Sequence, residues 1–230
     1  MKNRLLGLSL AIALTMSACA TNQTRTTTNS FTAAQSSKTL LVKPDVELSV
    51  LMASGMREVR ANWSQDGEKY LTAALVEALK ARGSDITVMD PNEGLTPRQI
   101  QIIKLNDAVV QTSLIHDYQA NKLPTKKDKF DRTIGPGAMV LKGSSGADYA
   151  LMIKSRGAFQ SGGKMVMNIA MAALGGPVQT GGTTLYATLV DLETGDIVWS
   201  NLAGAAMGAD MRKPEGAKTI VKSLMKDFPL

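Results

Sequence analysis

Ala187-Thr188-Leu189-Val190-Asp191-Leu192-Glu193-Thr194-Gly195-Asp196-Ile197-Val198-Trp199 is the stretch that decides the fold. Apolar runs at 185–191 and 197–203 flank Glu193-Thr194-Gly195-Asp196, a short glycine-containing connection of the kind that closes a β-hairpin. Thr194-Gly195 supplies a turn that needs a positive φ. Asp191 is placed to accept backbone hydrogen bonds across that turn, and Trp199 offers a large apolar plate over the sheet. These are structural jobs, so the stretch speaks to fold rather than to activity.

Working outward, Tyr149, Leu151 and Ile153 alternate with Ala150, Met152 and Lys154 as a strand covered on both faces. Val46, Leu48, Val50 and Met52 alternate as another, and residues 85–89 form a short third, ended by Asp90-Pro91. Residues 64–82 read as a helix capped by Ser64 or Asp66 and stopped at Gly83. A second helix starts at Thr96-Pro97 and runs to about His116, a short one follows Pro136, and a last spans 214–227. The order βαβααββ with a terminal helix predicts an α/β or α+β fold, a mixed sheet of about five strands with helices packed on it.

Gly146-Ala147-Asp148-Tyr149-Ala150-Leu151, followed about forty residues later by the hairpin ending at Trp199, resembles the corresponding strand and hairpin of periplasmic lipoproteins built like the TolB N-terminal domain. That group includes the curli-secretion lipoprotein CsgG and the penicillin-binding-protein activator LpoB. The resemblance implies a single domain over 39–230 and work in the cell envelope through protein contacts. A CsgG-like subunit of an oligomeric secretion pore is the alternative it implies.

The N-terminus predicts export. Lys2 and Arg4 precede the apolar run 5–16, too short for a stable transmembrane helix, and residues 1–18 have the layout of a signal peptide. Met16-Ser17-Ala18-Cys19 is similar to the bacterial lipobox, with Met16 where Leu is usual. That resemblance implies that Cys19 carries covalent lipid and anchors the mature chain, since two or more acyl chains hold a membrane stably. By the same resemblance to bacterial lipoproteins, Ala20 rather than Asp after the cysteine implies the periplasmic face of the outer membrane. Cys19 is the only cysteine, so no internal disulfide is available. Residues 20–38, rich in Thr, Ser, Asn and Gln, read as a disordered tether reaching about 65 Å if extended.

Removing the signal leaves 24 basic against 20 acidic side chains, a mild +4 that permits contact with anionic lipid or cell-wall polymer, whereas nucleic acid is an odd partner in that compartment. Catalysis has little to draw on. His116 is the only histidine and closes a helix. Ser161-Gly162-Gly163-Lys164 has Ser-x-x-Lys spacing, but its companion motifs are missing and two glycines oppose the helix such a site needs. Glu193 and Asp196 are accounted for by the hairpin, no soft metal ligands cluster, and the expectation is a non-enzyme without metal or cofactor. Lys122, Lys126, Lys127, Lys129 and Arg132 read as a solvated loop, with lipid head groups or peptidoglycan as the alternative contact.

The informative region is 164–178. Met165, Val166, Met167, Ile169, Met171 and Leu174 make it apolar all round, and Gly175-Gly176-Pro177 stops it. Three readings stand: a helix or hairpin folded onto the sheet as core, a Met-rich surface for self-association or a partner, or a membrane-contacting hairpin as in CsgG-like pores. Strict alternation, which membrane strands need, is absent.

Overall fold

The computed structural model describes residues 22–27, 37–119, 122–205 and 208–230. The elements are β1 (Asn22–Thr26), β2 (Lys38–Val42), β3 (Asp45–Leu51), β4 (Arg57–Val59), α1 (Ala61–Lys80), β5 (Asp85–Met89), α2 (Pro97–His116), α3 (Met139–Ser145), β6 (Tyr149–Gln160), α4 (Gly162–Ala173), β7 (Gly182–Asp191), β8 (Ile197–Gly204) and α5 (Pro214–Leu224). Cys19 and residues 1–18 lie outside the described residues.

The strands form one mixed sheet in the order β1-β8-β7-β6-β2-β5. Both β2 and β3 run parallel to β6 on its same edge, β2 against 149–151 and β3 against 154–160, with β4 outside β3. The break between them falls at Lys43-Pro44, where proline has no N–H to donate to a ladder. Alternation along the strands sorts side chains to two layers. Leu41, Leu151 and Leu189 face a core closed by α1 and α5, and Leu40, Ala150 and Val190 face a second core closed by α2 and α3.

The class is α/β, with eight strands among the described residues rather than about five. The additional ones are short, polar or fully exposed. β1 lies inside the stretch expected to be a disordered tether, and that expectation is corrected for 22–26. This polar segment orders by backbone pairing along β8, from Asn22 opposite Ala203 to Thr26 opposite Trp199. The Asn22 amide donates to the Ser223 carbonyl (3.0 Å) and the Thr24 hydroxyl to Asp227 (3.3 Å). An edge strand needs no apolar face to be held this way.

The first helix starts earlier than expected, and neither Ser64 nor Asp66 caps it: α1 has no side-chain cap at Arg60. The Ser64 hydroxyl instead accepts from the Leu48 N–H (2.9 Å) and donates to the Arg60 carbonyl (3.1 Å), pinning the helix to β3. Thr96 and Gln99 form a reciprocal capping box at the start of α2. At the hairpin, Asp191 Oδ1 accepts from the N–H groups of Glu193 (2.8 Å) and Thr194 (3.2 Å). Gly195 has φ +80°, and a Cβ there would meet the Gly135 carbonyl oxygen at 1.9 Å, so both backbone conformation and close approach demand glycine. Trp199 is fully buried, edge-on to Phe228 with centroids 5.1 Å apart.

Candidate interaction surface

β6 and β7 form a long hairpin whose ladder reaches Ala158 opposite Gly182, and α4 occupies its tip. Ser161 starts the helix by accepting from the Lys164 N–H (3.1 Å). Gly162 and Gly163, expected to oppose a helix, are its first two residues, where backbone N–H groups have no intrahelical partner in any case. Gly175, at φ +71°, follows its end. The Asn168 amide donates to Gln160 Oε1 (3.0 Å) and to the Gln179 carbonyl (2.8 Å), clamping the helix to both arms of the hairpin.

The polarity of α4 is inverted. Lys164, Asn168 and Met171, at i, i+4 and i+7, are its shielded side, whereas Met165, Val166, Met167, Ile169 and the following Leu174 are exposed, Leu174 at 83%. A surface helix of a globular protein normally does the reverse. The reading of 164–178 as core is therefore overturned: Lys164 is the only fully buried residue of α4. Exposed Met52 and Met56 extend the surface from the β3–β4 turn, which abuts the hairpin where the Ser161 N–H donates to the Leu51 carbonyl (3.0 Å).

At the other end of the sheet, a pocket of about 340 Å³ is lined by Arg25, Lys122, Lys126, Lys127 and Lys129 against the carboxylates Asp117 and Asp128, with His116 beside them. Arg25 comes from β1 and donates to the Asp117 carbonyl (3.1 Å). Sequence reasoning missed it because the strand pairing of a polar segment leaves no apolar signal. Arg132, expected in the solvated loop, is instead almost buried, with Nε and Nη2 donating to the two Asp117 oxygens (2.9 and 2.6 Å). That hydrogen bonding holds the guanidinium even more firmly protonated than usual.

A second missed feature is a cleft of about 470 Å³ at the carboxyl ends of β2 and β5, where the chain passes from β2 into β3 and from β5 toward α2. Four of its six charged lining side chains are in ion pairs. Lys43 pairs with Asp90, and its hydrogen bond holds that carboxyl below the usual range. Lys154 bridges Asp107 (2.9 Å) and Asp45 (3.4 Å). Burial is the largest single influence on Asp45 and raises it, but the hydrogen bonds and charges of Arg156 and Lys154 together outweigh burial and hold the carboxyl low, whereas burial pushes Glu68 up. The sequence signal was there in Lys43-Pro44 and Asp90-Pro91, two breaks immediately after apolar runs.

The Ser161 hydroxyl is engaged as a helix cap by the Lys164 backbone. Glu193 is 72% exposed with Lys142 at 3.4 Å, and among the described residues no group of three or more His, Cys, Asp or Glu is placed to hold a metal ion. No described helix is long and apolar enough to cross a membrane.

No family model and no curated protein matches the sequence. Among solved structures, the chain is similar to the PelC dodecamer from Paraburkholderia phytofirmans, at 11% identity over 90% of this chain and 94% of that one, with a TM-score of 0.40. It is also similar to a point variant of the same dodecamer in a second crystal form, at 13% identity over 90% and 95%, with a TM-score of 0.39.

Proposed function

We propose that this chain is a lipoprotein anchored through Cys19 to the periplasmic face of the outer membrane, and that it serves cell-envelope assembly or transport as a non-enzymatic adaptor. It acts through contacts with an envelope protein or a second copy of itself. The observation that carries the reading is a two-ended domain, with the outward-facing apolar side of α4 at one end of the sheet and a cationic pocket at the other: surfaces of this kind on a folded domain are there to be contacted. The lipobox-like Met16-Ser17-Ala18-Cys19, the TolB-like strand and hairpin, and the engagement of Ser161 as a helix cap support it.

The test is capture of partners from envelope extracts by three baits: the wild type, a Val166→Ser/Ile169→Ser variant, and a Lys122→Gln/Lys127→Gln/Lys129→Gln variant. The expected result is at least one envelope protein recovered reproducibly, with recovery falling for one of the two variants. Baits that retain nothing reproducible would overturn the proposal, as would a chain found in the cytosol with Cys19 unmodified.

The placement of α4 at the tip of the β6–β7 hairpin favours one second reading, a subunit of an oligomeric secretion pore in which 161–181 would extend that hairpin into the bilayer. Stable rings that conduct ions in planar bilayers are its expected signature. Detergent-extracted protein sedimenting as a monomer eliminates it.

A further inference from the structure

The ordering of β1 changes where an anchor at Cys19 would sit. Only residues 20 and 21 separate Cys19 from Asn22, so at most about 3.5 Å per residue the backbone spans no more than about 10 Å. From Asn22 onward the chain is laddered to β8 rather than free.

The register gives that short leash a direction. Asn22 lies opposite Ala203, Ala203 opposite Leu185, and Leu185 opposite Ser155. Since β1 runs antiparallel to β8, its Asn22 end lies at the end of the sheet where β8 finishes at Gly204, β6 finishes at Gln160 and α4 begins. A leash of about 10 Å from Asn22 therefore keeps Cys19 near that end, where β6 lies three strand spacings of about 4.8 Å from β1. The β3–β4 turn lies at the same end, because Leu51 is opposite Gln160.

Exposed apolar residues gather there too. Of the 13 large hydrophobic side chains that are exposed among the described residues, eight fall in 52–56 or 165–178. No charged residue occurs from 165 to 190, nor from 52 to 56, so the exposed side of α4 and the tip of the β3–β4 turn can enter an apolar medium while Arg57, Glu58, Asp210 and Arg212 stay beside it at the head-group level. The cationic pocket is at the far end, where Thr26 lies opposite Trp199 beside the 193–196 turn.

We propose that α4 and the β3–β4 turn dock into the bilayer that holds the Cys19 acyl chains, Met165, Val166, Met167, Ile169 and Met56 entering the interface between head groups and chains. The occupant of the apolar surface is lipid. The helix lies in the interface and, at 12 residues, does not cross it. Docking fixes the sheet upright on the membrane and presents the cationic end to the periplasm, where the adaptor contacts its protein partner. This inference rests on the acylation of Cys19 put forward above, and it goes further in naming what covers α4.

The test uses the full mature lipoprotein reconstituted in vesicles of phosphatidylethanolamine and phosphatidylglycerol. Cys19 is the only cysteine and its thiol is consumed by lipid, so Val166→Cys and Asp128→Cys each introduce one site for an environment-sensitive fluorophore. We expect the label at 166 to be blue-shifted and quenched several-fold by lipids carrying a nitroxide on the acyl chain, and the label at 128 to be unaffected. Equal, weak quenching at both positions overturns the inference, and so does a label at 166 shielded only by crosslinking to a second copy or another protein. An independent arm uses the full mature chain from residue 19, with Cys19→Ser: its residual vesicle binding should fall at least tenfold when Val166→Ser and Ile169→Ser are added, and unchanged binding again overturns the inference. Mass spectrometry of Cys19 separates the two failures, since an unmodified cysteine sinks the anchor while leaving this second arm readable.

Discussion

α4 and α5 are helices of 12 and 11 residues that follow strands of the same sheet, yet they face opposite ways. α5 turns Ala217, Ile220, Val221 and Leu224 inward at helical spacing and lays them against Trp199 and its neighbours. α4 turns Lys164, Asn168 and Met171 toward the protein and its apolar residues away from it. A mean hydropathy reading marks α4 as the more deeply buried of the two. Spacing of the polar residues is the better guide: in α4 the polar positions four apart define the inner side, because the hairpin tip offers backbone and glutamine groups to bond and no core to fill. The comparison divides the molecule into residues that hold the fold and residues that the fold holds out.

The largest effect expected from that division is at Leu224. Leu224→Ala removes a fully buried side chain from the α5 core and should cost about 3 to 4 kcal/mol in urea unfolding. Ile169→Ala, 65% exposed on α4, should change stability by less than about 0.5 kcal/mol. Equal losses at the two sites would break the comparison. The same contrast runs through the basic residues of the loop after α2. Arg132→Met strands Asp117, whose side chain is only 7% accessible, and should cost about 3 kcal/mol, while Lys127→Gln should be within about 0.5 kcal/mol of the wild type.

A smaller effect sharpens the comparison by asking whether α4 unfolds on its own. Asn168→Ala removes the clamp to Gln160 and Gln179, a loss of about 1 kcal/mol per bond at most. Hydrogen exchange should show lower protection for the α4 amides with the urea midpoint of the whole domain unchanged. A midpoint that falls in step with α4 protection would mean that the helix belongs to the same cooperative unit as α5.

Much of the fold was legible because its signals are local. The 185–203 hairpin, with Asp191, Thr194, Gly195 and Trp199, was readable from turn chemistry and alternation, and Thr96-Pro97 from capping. β1 and β2 were hidden for different reasons: β1 has no apolar face, and Thr39 to Val42 is a short run cut off by Lys43-Pro44. Of the residues named from composition for the apolar surface, Met165, Val166, Met167, Ile169 and Leu174 are exposed while Met171 lies on the shielded side, an orientation that composition hides and that only the spacing of Lys164 and Asn168 marks. The position of that surface relative to Cys19 depends on the register of β1 against β8, which only the folded sheet reveals.

The smallest effect separates the helices by pH. Asp210 precedes α5, and its carboxyl is held below the usual range first by the hydrogen bonds from Arg212 (2.8 Å each), whose guanidinium in turn lies 4.3 Å from the centre of the Trp63 ring and 3.7 Å from that of Phe159. A folded-state pKa below the unfolded value of about 3.9 means that the contribution is present above that pH and is lost as pH falls through the folded value. α4 contains no carboxylate of its own, from Gly162 to Ala173. Acidification from pH 5 to pH 3 should therefore weaken protection of α5 amides before those of α4, and Asp210→Asn should flatten the acid limb for α5 while leaving α4 untouched. If α4 were the first to lose protection in acid, the support for α5 would have to come from somewhere other than this carboxylate, and the two helices would not differ in the way their buried sides indicate.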